Sequence, residues 1–201
     1  MSFFAAHSFG LFNLWILMVL YSLPILLTIF IHRGVFHPTS SRFSSARSSR
    51  EYRLFIVSKF IMLFYFLYAL AIPIHLDTPI AIIGLTIYAV GFLFYSAAWI
   101  TIAISGGGEV VSNGPFRFSR HPIYLSSAIL FAGAGLVSGS CLYLVLSLLV
   151  GFTHMRNAIA EERICLEVYG EKYRKYMAAT PRWLGRPRPK PKSSRRIIPK
   201  K

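Results

Sequence analysis

Acidic residues are scarce in this 201-residue chain: seven Asp and Glu stand against 22 Lys and Arg, and no charged residue occurs between Met1 and His32. With 14% charged and 55% hydrophobic residues, an ordinary soluble fold is excluded. The chain also lacks an internal repeat, and its apolar runs differ too much to be inverted halves of a transporter. No basic region precedes the first apolar segment, so that segment reads as a retained span and not as a secretory signal. Cysteine is limited to Cys141 and Cys165, which the topology below puts on opposite sides of the bilayer, so no disulfide is expected. His7, His32, His37, His75 and His154 lack metal-ligand spacing, so no metal is expected either.

What the chain has instead is hydrocarbon. The run Phe9 to His32 exceeds the ~20 residues a helix needs to cross a bilayer, and further runs follow at Leu54 to Leu76, Ile80 to Ile104, Ile123 to Val137 and Cys141 to Thr153. The expected fold is therefore all-α, a polytopic membrane protein of five transmembrane helices. A net charge of +15 invites thoughts of nucleic acid, but its distribution argues otherwise. Arg33, Arg42, Arg47, Arg50 and Arg53 crowd the first connection, Arg117 and Arg120 the third, and most of the remainder lies beyond Thr153. The alternate connections carry only Asp77 or nothing, which places the N-terminus outside and the C-terminus in the cytoplasm. The basic loop and tail then face anionic lipids, and no nucleic-acid partner is expected. Lys59 fits as a snorkelling residue of the second span.

Residues 1–104 read as a three-span scaffold, with Pro24 and Pro73 expected to kink their helices and Gly84 and Gly91 to permit close packing. Residues 105–184 are richer in polar groups and read as the functional core, while 185–201 form a basic tail expected to be disordered. Ser138 to Ser140 is short enough to make spans four and five an antiparallel hairpin. The fourth span starts at His121-Pro122, with Pro at the first helical position. The fifth keeps its helical pattern to Tyr169, where Gly170 offers a cap, and Glu171 to Met177 is a short amphipathic stretch with Tyr173 and Tyr176 on one side.

Chemistry is expected where the Gly-rich loop, the His121-Pro122 helix start and the Glu161-Glu162 pair converge. A helix N-terminus offers N–H donors and partial positive charge to a carboxylate, and Glu161 could bind a cationic pole. S-adenosylmethionine carries both groups together with ribose hydroxyls.

The stretch Gly114-Pro115-Phe116-Arg117-Phe118-Ser119-Arg120-His121-Pro122-Ile123-Tyr124, the Glu161-Glu162 block, the Tyr169-Gly170-Glu171-Lys172-Tyr173 block and the closing Pro181-Arg182-Trp183 resemble the isoprenylcysteine carboxyl methyltransferase family in order and spacing. The resemblance covers about residues 100 to 184. It implies an S-adenosylmethionine-dependent enzyme on a lipophilic acceptor, with cofactor entering from the cytosol and acceptor from the bilayer. It implies a cofactor site of Gly108, Glu109, Val110, Val111, Phe116, Arg120, His121, Pro122 and Tyr124, completed by Glu161. Eukaryotic members carry His-x-Leu-Val where this chain has Gly108 to Val111, and Tyr at the position of Phe116. An Arg one turn before the Glu pair helps hold the acceptor in that family; Arg156 is the nearest candidate, although Asn157 stands at the aligned position.

A carboxylate acceptor, such as that of a prenylated cysteine, is nucleophilic at neutral pH and needs approach geometry and exclusion of water more than a base. An amine acceptor needs its proton removed, for which Glu162 or a headgroup phosphate is the candidate. The rivals are a phospholipid N-methyltransferase with the same cofactor pattern, a nicotinamide-dependent sterol reductase, which normally has about twice as many spans, and a non-enzymatic membrane scaffold in which Arg120, His121 and the Glu pair merely satisfy one another.

Overall fold

The computed structural model describes residues 9–31, 48–105 and 109–187. Gly108 and its two preceding glycines, the basic residues Arg33, Arg42 and Arg47, and the tail from residue 188 onward lie outside the described residues. The described chain forms helices α1 (Trp15–Ile31), α2 (Ser49–Ala69), α3 (Pro79–Ser105), α4 (Pro122–Val137), α5 (Cys141–Tyr169) and α6 (Glu171–Ala179), with a 3-10 turn at Gly114–Arg117 before α4. Helices α2, α3 and α5 are long and apolar enough to cross a membrane, while α1 and α4 are shorter apolar helices. Apolar side chains such as Phe60, Phe94, Leu93 and Phe152 stand more than half exposed on their outer faces. Such surfaces suit lipid rather than water.

Local chemistry sets the helix ends. Ser48 and Glu51 form a reciprocal capping box at the start of α2, so that helix begins a turn before the hydrophobic run at Leu54. The Thr78 hydroxyl accepts from Ala81 N–H at 3.2 Å to start α3, and Ser140 caps α5 by accepting from Tyr143 N–H at 3.3 Å. Gly170, with φ of 54°, ends α5 in a conformation that other residues adopt reluctantly.

The second span also stops short of the run that predicted it. Helix α2 ends at Ala69, and Pro73 lies beyond it in an extended segment paired with Asn13, so Pro73 kinks no helix. The cause is a competing set of bonds: the Asn13 side-chain amide donates to Leu70 O at 2.6 Å, Leu14 N–H to Ile72 O and Ile74 N–H to Phe12 O, both at 2.9 Å. These join the start of α1 to the end of α2. Pro24, by contrast, is inside α1.

The closest helix contact is between α3 and α4. A Cβ on Gly84 would lie 2.7 Å from Leu136 Cβ and 2.8 Å from Gly133 O, and one on Gly133 would lie 2.5 Å from Tyr88 N. Gly91 meets the backbone of Leu130 in the same seam. Helices α4 and α5 touch where Gly135 approaches Leu144 and Ser147, and where Gly151 approaches Ala128. An aromatic core fills the centre: Tyr65 stacks on Tyr143 with centroids 4.4 Å apart, and Tyr21 on Tyr95 at 4.8 Å, with Phe131 against Tyr21 and Tyr65. This packing fixes the start of α4 beside the far half of α5.

Candidate functional site

About twenty residues of helix suffice to cross the hydrocarbon core, and counted from Cys141 they reach Ala160. Glu161 and Glu162 therefore stand on the part of α5 that exceeds the length a crossing needs. The partner segment arrives through a tight turn. Gly114 has φ of 52°, and a Cβ there would lie 2.6 Å from Thr101 Oγ1, so the 3-10 turn packs flat on the end of α3. Two residues after that turn, buried Ser119 accepts from His121 N–H at 3.1 Å and donates to Arg182 O at 3.2 Å. His121 then caps α4 by position, without a side-chain cap bond, and Pro122 opens the helix.

Glu162 is the centre of the cluster. It is 4% exposed, and its Oε1 lies 2.8 Å from Arg120 Nη2 and 3.2 Å from His121 Nε2. Arg182 approaches from the other side, with Nη2 at 2.7 Å and Nε at 3.1 Å from Oε2. Burial alone pushes the carboxyl up, but hydrogen bonds from His121 and Arg182 and the Arg120 charge outweigh it and hold the group at about 2. An ionised, acceptor-only Glu162 requires the proton on His121 Nε2. The other ring nitrogen, Nδ1, faces Glu161 Oε2 at 4.0 Å. Glu161 is one-third exposed along its side chain, so it keeps acceptor capacity that Glu162 has used.

A strap from the end of the described chain closes the cluster. Arg120 N–H donates to Pro181 O and Gly185 N–H to Phe118 O, each at 3.0 Å. Trp183 stands 6.0 Å from the His121 ring. Helix α6 supports this strap from below: buried Tyr173 and Tyr176 pack with Cys165, Val110 and Leu166, and the Tyr176 hydroxyl donates to Phe116 O at 2.7 Å.

Of the residues expected at the site, Arg120, His121, Pro122, Glu161 and Glu162 are brought together. Tyr124 is adjacent, its ring 5.8 Å from His121. Phe116 and Val110 touch the cluster through α6. Glu109 is exposed, 3.7 Å from Lys172, and Val111 is partly buried in the loop that follows. Arg156 is not part of the cluster. It projects from another side of α5, into a surface groove against α2 with Glu51, Leu54 and Ile159, where Asn157 donates to Ser58 at 3.3 Å. Glu162 also differs from expectation: locked by two guanidinium groups and an imidazole, and held at about 2, it is a weak base at neutral pH.

Arg182, Ser119 and Tyr176 carry the cluster's geometry without having been expected to. The signal for Arg182 was its place between Pro181 and Trp183 in a matched motif; Ser119 and Tyr176 act through backbone groups that no residue pattern reveals.

The fold and the cluster define a class: a helical integral membrane protein with an ionised, buried site at one end of its bundle. A family model described as phospholipid methyltransferase matches residues 67–172, just over half of the chain, and the chain belongs to that family. The family includes the isoprenylcysteine carboxyl methyltransferases. No curated protein matches the chain. Membership makes this a membrane methyltransferase.

Proposed function

We propose that this protein transfers a methyl group from S-adenosylmethionine to a lipophilic acceptor held in the bilayer, the acceptor being a carboxylate such as that of a prenylated cysteine. The observation that carries the reading is the His121 ring held between the locked Glu162 and the available Glu161 at the start of α4. The donor set suits the cofactor. The Ile123 N–H group in the first turn of α4 has no intrahelical acceptor, and Arg120 Nε is a buried donor without a partner among the described residues; both suit a carboxylate. Glu161 suits an ammonium or ribose hydroxyls, and the Tyr124 ring suits a cation.

When bound, S-adenosylmethionine supplies a methyl group on a positively charged sulfur. His121, fixed by Glu162, orients the α4 start. Arg182 and Trp183 cover that corner and limit water. The acceptor oxygen needs no proton removed, so these residues contribute orientation and a dry, fixed field rather than acid–base chemistry. Gly108 to Val111 and Phe116 would form the cofactor's roof, and Arg156 would meet the acceptor only at the α2 groove.

In this reading five helices span the membrane, α4 and α5 form a hairpin, the N-terminus is outside, and the cluster faces the cytoplasm. Residues 1–104 serve as scaffold, 105–184 as methyltransferase core and 185–201 as a basic tail near anionic lipid. The family's description favours one second reading, methylation of a phospholipid amine; with Glu162 locked, a headgroup phosphate or Glu161 would have to take the proton.

Calorimetry on the purified protein tests the proposal. Wild type is expected to bind S-adenosylmethionine, and Glu161→Ala to bind it at least tenfold more weakly with an unchanged melting temperature. Absence of binding by wild type overturns the proposal. Incubation of native membranes with methyl-labelled cofactor then separates the acceptors: an ester label is released by mild base, and an N-methyl label is not.

A further inference from the structure

Away from the ion cluster, Nδ1 of His154 is one of several buried side-chain atoms left without a hydrogen-bond partner among the described residues. Its ring stands edge-on to Tyr124 at 5.7 Å and to Phe131 at 5.6 Å, both on α4. The charged group that bears on it is Lys59 of α2. His154 precedes Glu161 by seven residues, two helical turns, so both project from one stripe of α5. Tyr124 joins them, since its ring also lies 5.8 Å from His121. Glu161, His121, Tyr124 and His154 thus form a row that runs from the cluster toward the apolar middle of the bundle.

A buried ring nitrogen left unpaired costs about 1–3 kcal/mol, and native structures normally meet such a group with a ligand or a held water. The neighbouring aromatic rings offer it no strong acceptor. The imidazole offers an N–H, and the Lys59 ammonium, which stands 4.9 Å from the Phe55 ring centroid, adds positive charge to its surroundings. A negatively charged oxygen pairs with the ring N–H through a charge-assisted bond about twice as strong as a neutral one, and the lysine charge attracts it. The site is also on the correct side: a lipid acceptor arrives from the bilayer, where α2 exposes Val57, Phe60 and Phe64, and Lys59 has a flexible stem that can swing aside.

We propose that His154 and Lys59 form a subsite for the oxyanion of the lipid acceptor, a carboxylate or a phosphate, one aromatic ring from the cluster on its membrane side. The inference rests on the methyltransferase reading and gives its acceptor a class: a long-chain lipid with a negatively charged head.

The test is equilibrium binding to the full chain in a neutral maltoside detergent, without cofactor, using radiolabelled oleate, hexadecyl phosphate and uncharged methyl oleate. Wild type should bind at least one anionic probe at least tenfold more tightly than methyl oleate. His154→Phe and Lys59→Met should each reduce that preference about tenfold while leaving methyl oleate binding and the melting temperature unchanged. His154→Gln, which keeps a donor, should retain most of it, and this variant with Lys59→Met carries the test if His154→Phe fails to fold. Preference for oleate assigns a carboxylate head; preference for hexadecyl phosphate assigns a phosphate. Equal binding of oleate and methyl oleate by wild type, or wild-type preference in both His154→Phe and Lys59→Met, overturns the subsite. Loss of S-adenosylmethionine binding by wild type would remove the methyltransferase reading and leave this measurement standing.

Discussion

At Glu162 one carboxylate is shared by Arg120, Arg182 and the His121 ring, and removing its charge leaves the 9%-exposed Arg120 side chain without a counter-charge. Glu162→Gln preserves shape and is expected to destabilise the protein by about 3 kcal/mol, the cost of breaking a buried pair on one side. Arg182→Ala should cost less, about 1 kcal/mol, because that side chain is 40% exposed and water compensates it. Thermal unfolding of the two variants in detergent checks the order. The pH dependence follows from the same carboxyl. It is held at about 2, below the ordinary 4.5, so the unfolded chain takes up the proton first. The stabilisation is whole above about pH 4.5 and is lost as pH falls through about 2. Wild-type stability should therefore drop across that window, and Glu162→Gln should show a shallower drop. His121 and Glu161 were legible in the sequence because charged dipeptides at span ends are rare. Arg182 was legible only as the middle of Pro181-Arg182-Trp183, a pattern that does not say its partner is Glu162.

At the scale of elements, the α3–α4 seam positions the cluster. Gly84 and Gly133 face each other's backbone, and a Cβ on either would lie under 3.0 Å from main-chain atoms. Gly133→Ala must push the helices apart, at about 1–3 kcal/mol, and should weaken S-adenosylmethionine binding although residue 133 is three turns from His121. A melting temperature and cofactor affinity both equal to wild type would contradict this. Sequence spacing announced the role of Gly84 and Gly91, since small residues in an apolar run signal close helices. It also announced the length of α5, because the helical pattern and Gly170 agree. The end of α2 was hidden: its hydrophobic run continues to Leu76, but the Asn13 amide, far away in sequence, competes for the Leu70 carbonyl. No local pattern contains a long-range bond of that kind.

At the scale of the whole molecule, the contacts sort the chain into two ends. Asn13, Leu70, Gly84 and Gly133 belong to one, and Ser48, Thr101, His121 and Glu162 to the other. If the second end is cytoplasmic, then in a chain with Cys141 and Cys165 replaced by Ser, a membrane-impermeant maleimide should label Ser2→Cys from outside intact cells, and Arg186→Cys only after permeabilisation. The reverse pattern would invert the proposed topology. Hydropathy and charge revealed the membrane class and the sidedness to be tested. They could not reveal which polar residues meet, since that depends on how far each helix slides along the next.

The strap has a consequence for biogenesis. Residues 181–185 return to pair with residues 118–120, and Arg182 supplies part of the charge that holds Glu162. During synthesis α4, α5 and α6 are all made before that segment exists. Until it arrives, the acidic residue waits with Arg120 and His121 alone. Insertion into the bilayer thus comes first and completion of the cluster last, and a chain interrupted before Pro181 would be a membrane resident without a finished site.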